Sequence, residues 1–139
     1  MKASDIMTMG AATTTATSSL AAAIKCMSDH GISALPVLDE DGHLQGIVTE
    51  GDFFRQDLGP FRLDALVGIG AEERARSLGS MTVAEIMSTQ PITVDGGESL
   101  EEAIAIMEGR GVKRLPVTSH GKLVGLLSRA DILRALITD

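Results

Sequence analysis

Tryptophan and tyrosine are absent from this 139-residue sequence, and its only aromatic residues are Phe53, Phe54 and Phe61. A nucleobase site here cannot rest on the aromatic stacking that single-strand binders use, so a purine would have to lie between aliphatic side chains and be read by backbone groups. One cysteine, Cys26, excludes an intramolecular disulfide; it falls in an apolar helical pattern that predicts a buried thiol in a reducing compartment. Basic residues are too few, 12 against 19 acidic, for a general attraction to nucleic acid or an anionic membrane, the net charge being −7. No apolar run approaches a membrane span, and MKASDIMTMG lacks the apolar stretch of a signal sequence, so a cytoplasmic location is expected. Nucleophile motifs, a P-loop and Cys clusters are missing, and His30, His43 and His120 lack metal-ligand spacing. Neither a catalytic nor a metal site is expected.

The sequence does have a repeat. Shifted by 80 positions, Ile6-Met7 meets Ile86-Met87, Thr13 meets Thr93, Ser19-Leu20 meets Ser99-Leu100, and Leu35-Pro36-Val37 meets Leu115-Pro116-Val117. After a one-residue gap in a polar turn, Gly42, Leu44, Gly46, Asp52 and Arg55 meet Gly121, Leu123, Gly125, Asp131 and Arg134. A hairpin turn tolerates such a change of length.

Each copy reads as a fixed order of elements. Leu20, Ala23, Ile24 and Met27, repeated as Leu100, Ala103, Ile104 and Met107, have the spacing of a helix with one buried face. Ser19 and Ser99 are placed as N-caps, Ser99 with Glu102 as a capping box, and Gly31 and Gly111 as stops. A strand, a turn and a second strand follow (ALPVL and LQGIVT, then RLPV and LVGLLS), and a last helix opens after Thr49 or Ser128. The proline in each first strand predicts an edge position or a missing ladder partner on its nitrogen side. One copy alone is marginal in size, so the two are expected to pack as a pseudo-twofold α/β (α+β) module with a ligand cleft between them. The predicted boundaries are 1–55, a connecting segment 56–82, and 83–139. In the connection, Phe61, Leu63, Leu66, Val67, Ile69 and Leu78 are too apolar for a flexible linker, and AEERARSL has helical composition.

The duplicated pattern of IM, an amphipathic helix, G-x-x-x-LPV and G-h-h-[TS]-x-x-D resembles the cystathionine-beta-synthase (CBS) domain family, and the pair resembles a Bateman module. The resemblance covers about Ser4 to Arg55 and Val83 to Leu136. It implies a non-catalytic regulatory module that binds AMP, ADP, ATP, S-adenosylmethionine or an NAD-type ligand, with magnesium accompanying a polyphosphate, and that assembles as a homodimer. It also implies that the backbone at Thr13, Thr14, Thr93 and Val94 meets the adenine.

In GIVTEGD and GLLSRAD a hydroxyl, Thr49 or Ser128, opens a helix and a carboxylate, Asp52 or Asp131, follows three residues later. A helix start favours phosphate, to which the hydroxyl adds a hydrogen bond. An ionised Asp only accepts, which suits the two hydroxyls of a ribose. Gly46 and Gly125 are expected to let a ligand approach the strand. Lys113, Arg114 and Arg129 have Ser33, Ala34 and Glu50 as first-copy counterparts, so the second copy is expected to prefer more phosphate. The same hydroxyl-x-x-carboxylate pattern is also a capping box, which needs no ligand. A structural dimerisation scaffold with empty clefts therefore stands as the alternative; an enzyme would need acid–base or metal groups that the sequence does not assemble.

Overall fold

A computed structural model describes residues 1–138 and, of these, the side chains of all but Gln56, Pro60 and Phe61. Phe61, expected to pack in the connection, thus lies with its side chain outside the described part. The elements in order are α1 (Ala3–Ile6), α2 (Leu20–His30), β1 (Ala34–Leu38), β2 (Leu44–Thr49), 3-10 helices Glu50–Phe54 and Gln56–Phe61, α3 (Leu63–Val67), α4 (Ala71–Ser80), a 3-10 turn Val83–Glu85, β3 (Val94–Asp95), α5 (Leu100–Arg110), β4 (Arg114–Ser119), β5 (Lys122–Ser128) and α6 (Arg129–Leu136). Helices and small sheets together make an α+β fold. No helix among the described residues is long and apolar enough to cross a membrane.

The chain forms two compact units that do not coincide with the two copies of the repeat. One, the Thr49 unit, holds Ala12–Asp39 and Gln45–Gln90. The other, the Ser128 unit, holds Met1–Ala11, Glu40–Leu44 and the residues from Pro91 onward. The copies are units of sequence; the units of packing exchange their leading segments.

In the Thr49 unit, α2 begins where Ser19 Oγ accepts the Ala22 N–H at 3.0 Å and ends at Gly31, whose φ of 61° suits a residue without a Cβ. Leu20, Ala23 and Met27 of α2 enter the core with Leu35, Val37, Val48 and Phe53; Ile24, expected on the buried face, is 37% exposed at its edge. Cys26 is half-buried against this core rather than fully enclosed. Thr14 binds alongside β1, its N–H donating to Pro36 O and its carbonyl accepting from Leu38 N–H, both at 2.9 Å. The segment leading into the second copy closes the unit: Leu20 N–H donates to Met81 O, Val83 N–H to Ser18 O, and Val83 and Ile86 are fully buried. Leu58, Leu66 and Met81 are buried and Leu78 packs against the same core, so much of the connection is packed structure, although Val67 is exposed.

In the Ser128 unit, β4 is the central strand, parallel to β3 and antiparallel to β5. Pro116 therefore does not sit on an edge strand. Its missing N–H is tolerated because the parallel pairing to β3 starts only at Val94 opposite Val117. The core is Val94, Leu100, Ala103, Met107, Leu115, Val117 and Leu127, completed by Ala3 from the chain's start. Ala3 N–H donates to Glu98 O and Leu100 N–H to Met1 O, both at 2.9 Å, which fixes α1 to the head of α5. Ser99 caps α5 by accepting the Glu102 N–H at 3.1 Å; the return bond from the Glu102 side chain, expected for a capping box, is not made. The turn residues 40–44 also belong here, with Leu44 N–H donating to Gly121 O and Leu123 N–H to Gly42 O.

The last elements of the two copies differ. RADILRAL forms α6, whereas EGDFF forms only a 3-10 helix. Gly51 costs about 1 kcal/mol against the Ala at the equivalent place, and the chain leaves the helix at Arg55, whose backbone is extended.

Candidate functional site

At the end of β5 the backbone of Ser128 is still extended, and α6 starts with the next residue. Ser128 Oγ accepts the Asp131 N–H at 3.1 Å. Asp131 Oδ2 in return accepts from Ser128 N–H at 2.8 Å and Ser128 Oγ at 3.0 Å. Asp131 Oδ1 accepts from Thr8 Oγ1 at 3.0 Å and from the Arg134 guanidinium. An ionised carboxylate has about four acceptor positions, and here each carries a donor. That is why a charged side chain only 3% exposed is tolerated in this place.

The start of the first 3-10 helix is the same arrangement left half complete. Asp52 Oδ2 accepts from Thr49 N–H at 2.8 Å and Thr49 Oγ1 at 3.3 Å. Asp52 Oδ1 has no hydrogen-bond partner among the described residues. Ser88, which aligns with Thr8, occupies the matching backbone position, with N–H and carbonyl both bound to Ile47, yet its hydroxyl binds no protein group among the described residues. Arg55, which aligns with Arg134, is turned elsewhere: its Nε and Nη2 donate to the two Asp57 oxygens at 2.9 and 2.8 Å, and its Nη1 to Ile86 O at 2.9 Å. The hydrogen bonds from Arg55 hold the Asp57 carboxyl below its ordinary range, and those bonds in turn raise the guanidinium.

The glycines behave differently from the expectation of a ligand approach. A Cβ at Gly125 would meet Met7 Sδ at 2.6 Å and Thr8 O at 3.0 Å; one at Gly46 would strike Ser88 O and lie 3.1 Å from Met87 Sδ. The close approach at both positions is made by the chain's own leading segment, paired through Thr8 with Leu126 or Ser88 with Ile47. The duplicated IM motif is thus the partner of the duplicated glycine.

The four adenine candidates divide in two. Thr14 is buried with both backbone groups spent on β1, and Val94 is 2% exposed and paired in the ladder to Val117, so neither has the open backbone expected of it. Thr13 and Thr93 precede those pairings, Thr13 exposed and Thr93 half-buried. The three basic residues divide as well. Arg114 lies directly opposite Ser128 in the β4–β5 register. Lys113 is exposed and its carbonyl accepts the Arg129 N–H at 3.2 Å. The Arg129 side chain lines a groove of about 320 Å³ with Ile104, Met107, Glu108, Ile132 and Leu133, which turns it toward α5. Among the described residues none of the three cations forms an ion pair.

Thr8, Ser88 and Arg134 were not singled out as site residues from the sequence, although the signal was present. Thr8 and Ser88 both carry a hydroxyl directly after the IM pair, and Arg55 aligns with Arg134. What spacing could not tell is that each IM segment serves the unit built on the other copy.

Comparison with known proteins agrees with the repeat. The CBS domain family model matches residues 3–59 and 83–138. Hypoxic response protein 1 of Mycobacterium tuberculosis is 31% identical over 134 residues, covering 96% of this chain and 84% of that protein. A crystal structure of Hypoxic Response Protein I with two coordinated zinc ions matches with a TM-score of 0.73 and 30% identity, covering 96% of this chain and 98% of that one. The structure of CBSX2 in complex with AMP matches with a TM-score of 0.76 and 26% identity, over 98% and 96% of the two chains. The CBS domain pair of MJ0100, in complex with 5′-methylthioadenosine and S-adenosyl-L-methionine, matches with a TM-score of 0.71 and 25% identity, over 98% and 95%. With two matched CBS domains spread over most of its length, and an intact hydroxyl-x-x-Asp helix start in each, the chain belongs to the CBS domain family.

Proposed function

We propose that the chain is a cytoplasmic, non-catalytic sensor module that binds an adenosine-containing ligand at the two hydroxyl-x-x-Asp helix starts. The observation that carries this reading is Asp52: a carboxylate held in place through Oδ2, whose Oδ1 has no hydrogen-bond partner among the described residues. A ribose diol offers the two donors that such an oxygen accepts. Asp131 is the matching group in the Ser128 unit. Thr49 and Ser128 are the hydroxyls next to the phosphate, and Arg114 and Lys113 are cations near the Ser128 start that form no ion pair among the described residues, with magnesium accompanying a polyphosphate there. AMP bound to CBSX2, and the adenosine compounds bound to MJ0100, support the ligand class. Thr13 and Thr93, ahead of their buried neighbours, are the backbone positions for the adenine.

Regulation follows if the ligand binds one state of the module better than another, since only differential affinity shifts an equilibrium. A homodimer belongs to the same reading. Leu133, Leu136 and Ile137 are 64%, 72% and 84% exposed at the end of α6, beside the apolar groove shared with α5.

One observation favours a structural scaffold instead: the Ser128–Asp131 capping box is complete without a ligand. Thermal unfolding with AMP, ADP, ATP, S-adenosylmethionine and NADH, with and without magnesium, separates the two. A ligand at 100 times its Kd adds about 2.7 kcal/mol, which raises Tm by several degrees. No shift with any of them supports the scaffold.

A further inference from the structure

We infer that the two sites are unequal in a defined direction: the chain's own Thr8 and Arg134 occupy the ribose-accepting oxygen of Asp131, so adenosine binds first at Asp52. This deepens the proposed function and rests on it. Of the acceptor positions on Asp131, Oδ2 is filled by Ser128 and Oδ1 by a hydroxyl and a guanidinium. Thr8 Oγ1 thus holds the place that a ribose hydroxyl would take, with the same donor chemistry. At Asp52 the equivalents are withdrawn: Arg55 is held by Asp57 and Ile86 O, and the Ser88 hydroxyl makes no bond to the carboxylate.

The asymmetry has its origin in sequence. Asp57, two residues after Arg55, captures that guanidinium, whereas the residue two after Arg134 is the apolar Leu136 of α6. Arg134 therefore folds back one helical turn onto Asp131, at i,i+3 spacing. Ligand at the Ser128 start must displace two existing hydrogen bonds to a buried charge, and ligand at the Thr49 start displaces no described protein group from Asp52 Oδ1. Thr8 and Arg134 are specificity-determining residues of the second site, and the surrounding cations Lys113 and Arg114 act only after that displacement.

The test is calorimetric titration of the full chain with AMP, on wild type, Asp52→Ala, Asp131→Ala and the double variant Thr8→Val/Arg134→Met, which keeps the Asp131 cap. The expected result is one tight site that weakens about tenfold or more in Asp52→Ala and stays within about twofold in Asp131→Ala. The double variant is expected to strengthen the second site about tenfold, so that two sites titrate together. Tight binding that is lost in Asp131→Ala and kept in Asp52→Ala, or a second site unchanged in the double variant, overturns the inference. Absence of heat with AMP in every protein, together with no unfolding shift for any adenosine compound, overturns instead the reading on which it rests.

Discussion

The Thr8 hydroxyl donates a 3.0 Å hydrogen bond to Asp131 Oδ1 across 123 residues of chain. The bond ties the leading segment of the first copy to the helix start of the second, next to the paired backbone of Thr8 and Leu126. Thr8→Val keeps the side-chain volume and removes this donor. The variant is predicted to lose about 1 kcal/mol in urea unfolding, since three donors to Asp131 remain. A loss near zero would show that Thr8 only rests beside the carboxylate.

Gly46→Ala and Gly125→Ala are predicted to be destabilising by about 1–3 kcal/mol, because each adds a carbon where the leading segment already lies. The nearest obstacle at Gly46 is the backbone oxygen of Ser88, whereas at Gly125 it is the movable Met7 side chain. Gly46→Ala is therefore the costlier. Equal stability of Gly46→Ala and wild type by thermal melt would contradict the pairing described.

Asp57 accepts two hydrogen bonds from Arg55, the residue that aligns with Arg134. Its carboxyl is held below the usual range by hydrogen bonds from Arg55, so the pair contributes stability above the unfolded aspartate value and loses it as pH falls through the lowered one. Between about pH 5 and 8 the pair stays ionised, and adenosine affinity is predicted to be flat. Asp57→Asn weakens the hold on Arg55 and lets it turn to Asp52 as Arg134 turns to Asp131, so a several-fold loss of adenosine affinity is expected by calorimetry. Unchanged affinity would show that the Ile86 carbonyl alone retains Arg55.

The end of α6 tests assembly. Leu133→Glu and Leu136→Glu place charge on exposed apolar positions, with little expected change in the melting temperature of the monomer. Sedimentation is predicted to show a dimer for wild type and a monomer for the double variant. A wild-type monomer at micromolar concentration would remove the dimer from the proposal.

Much of the fold was legible from residue pattern alone. Ser19 and Ser99 cap the predicted helices, Gly31 and Gly111 end them, and the LPV segments are strands, because these depend on local spacing that the chain carries twice. Two features were not legible. Ile6-Met7 and Ile86-Met87 are identical, so nothing in either says which glycine strand it will meet, and the structure pairs each with the other copy's. The hydroxyl-x-x-Asp motif is likewise the same in both copies, while the state of its carboxylate is set by Asp57 and Thr8, outside the motif. At Gly46 and Gly125 the group in close approach is the protein's own chain.

The claim that the helix-start carboxylates receive a ribose is tested most directly by comparing adenosine with 2′,3′-dideoxyadenosine in equilibrium dialysis against the wild-type chain. The base is the same and only the diol differs. The account predicts at least about tenfold weaker binding of the dideoxy compound, a difference lost in Asp52→Ala. Equal binding of the two by the wild-type chain would contradict it.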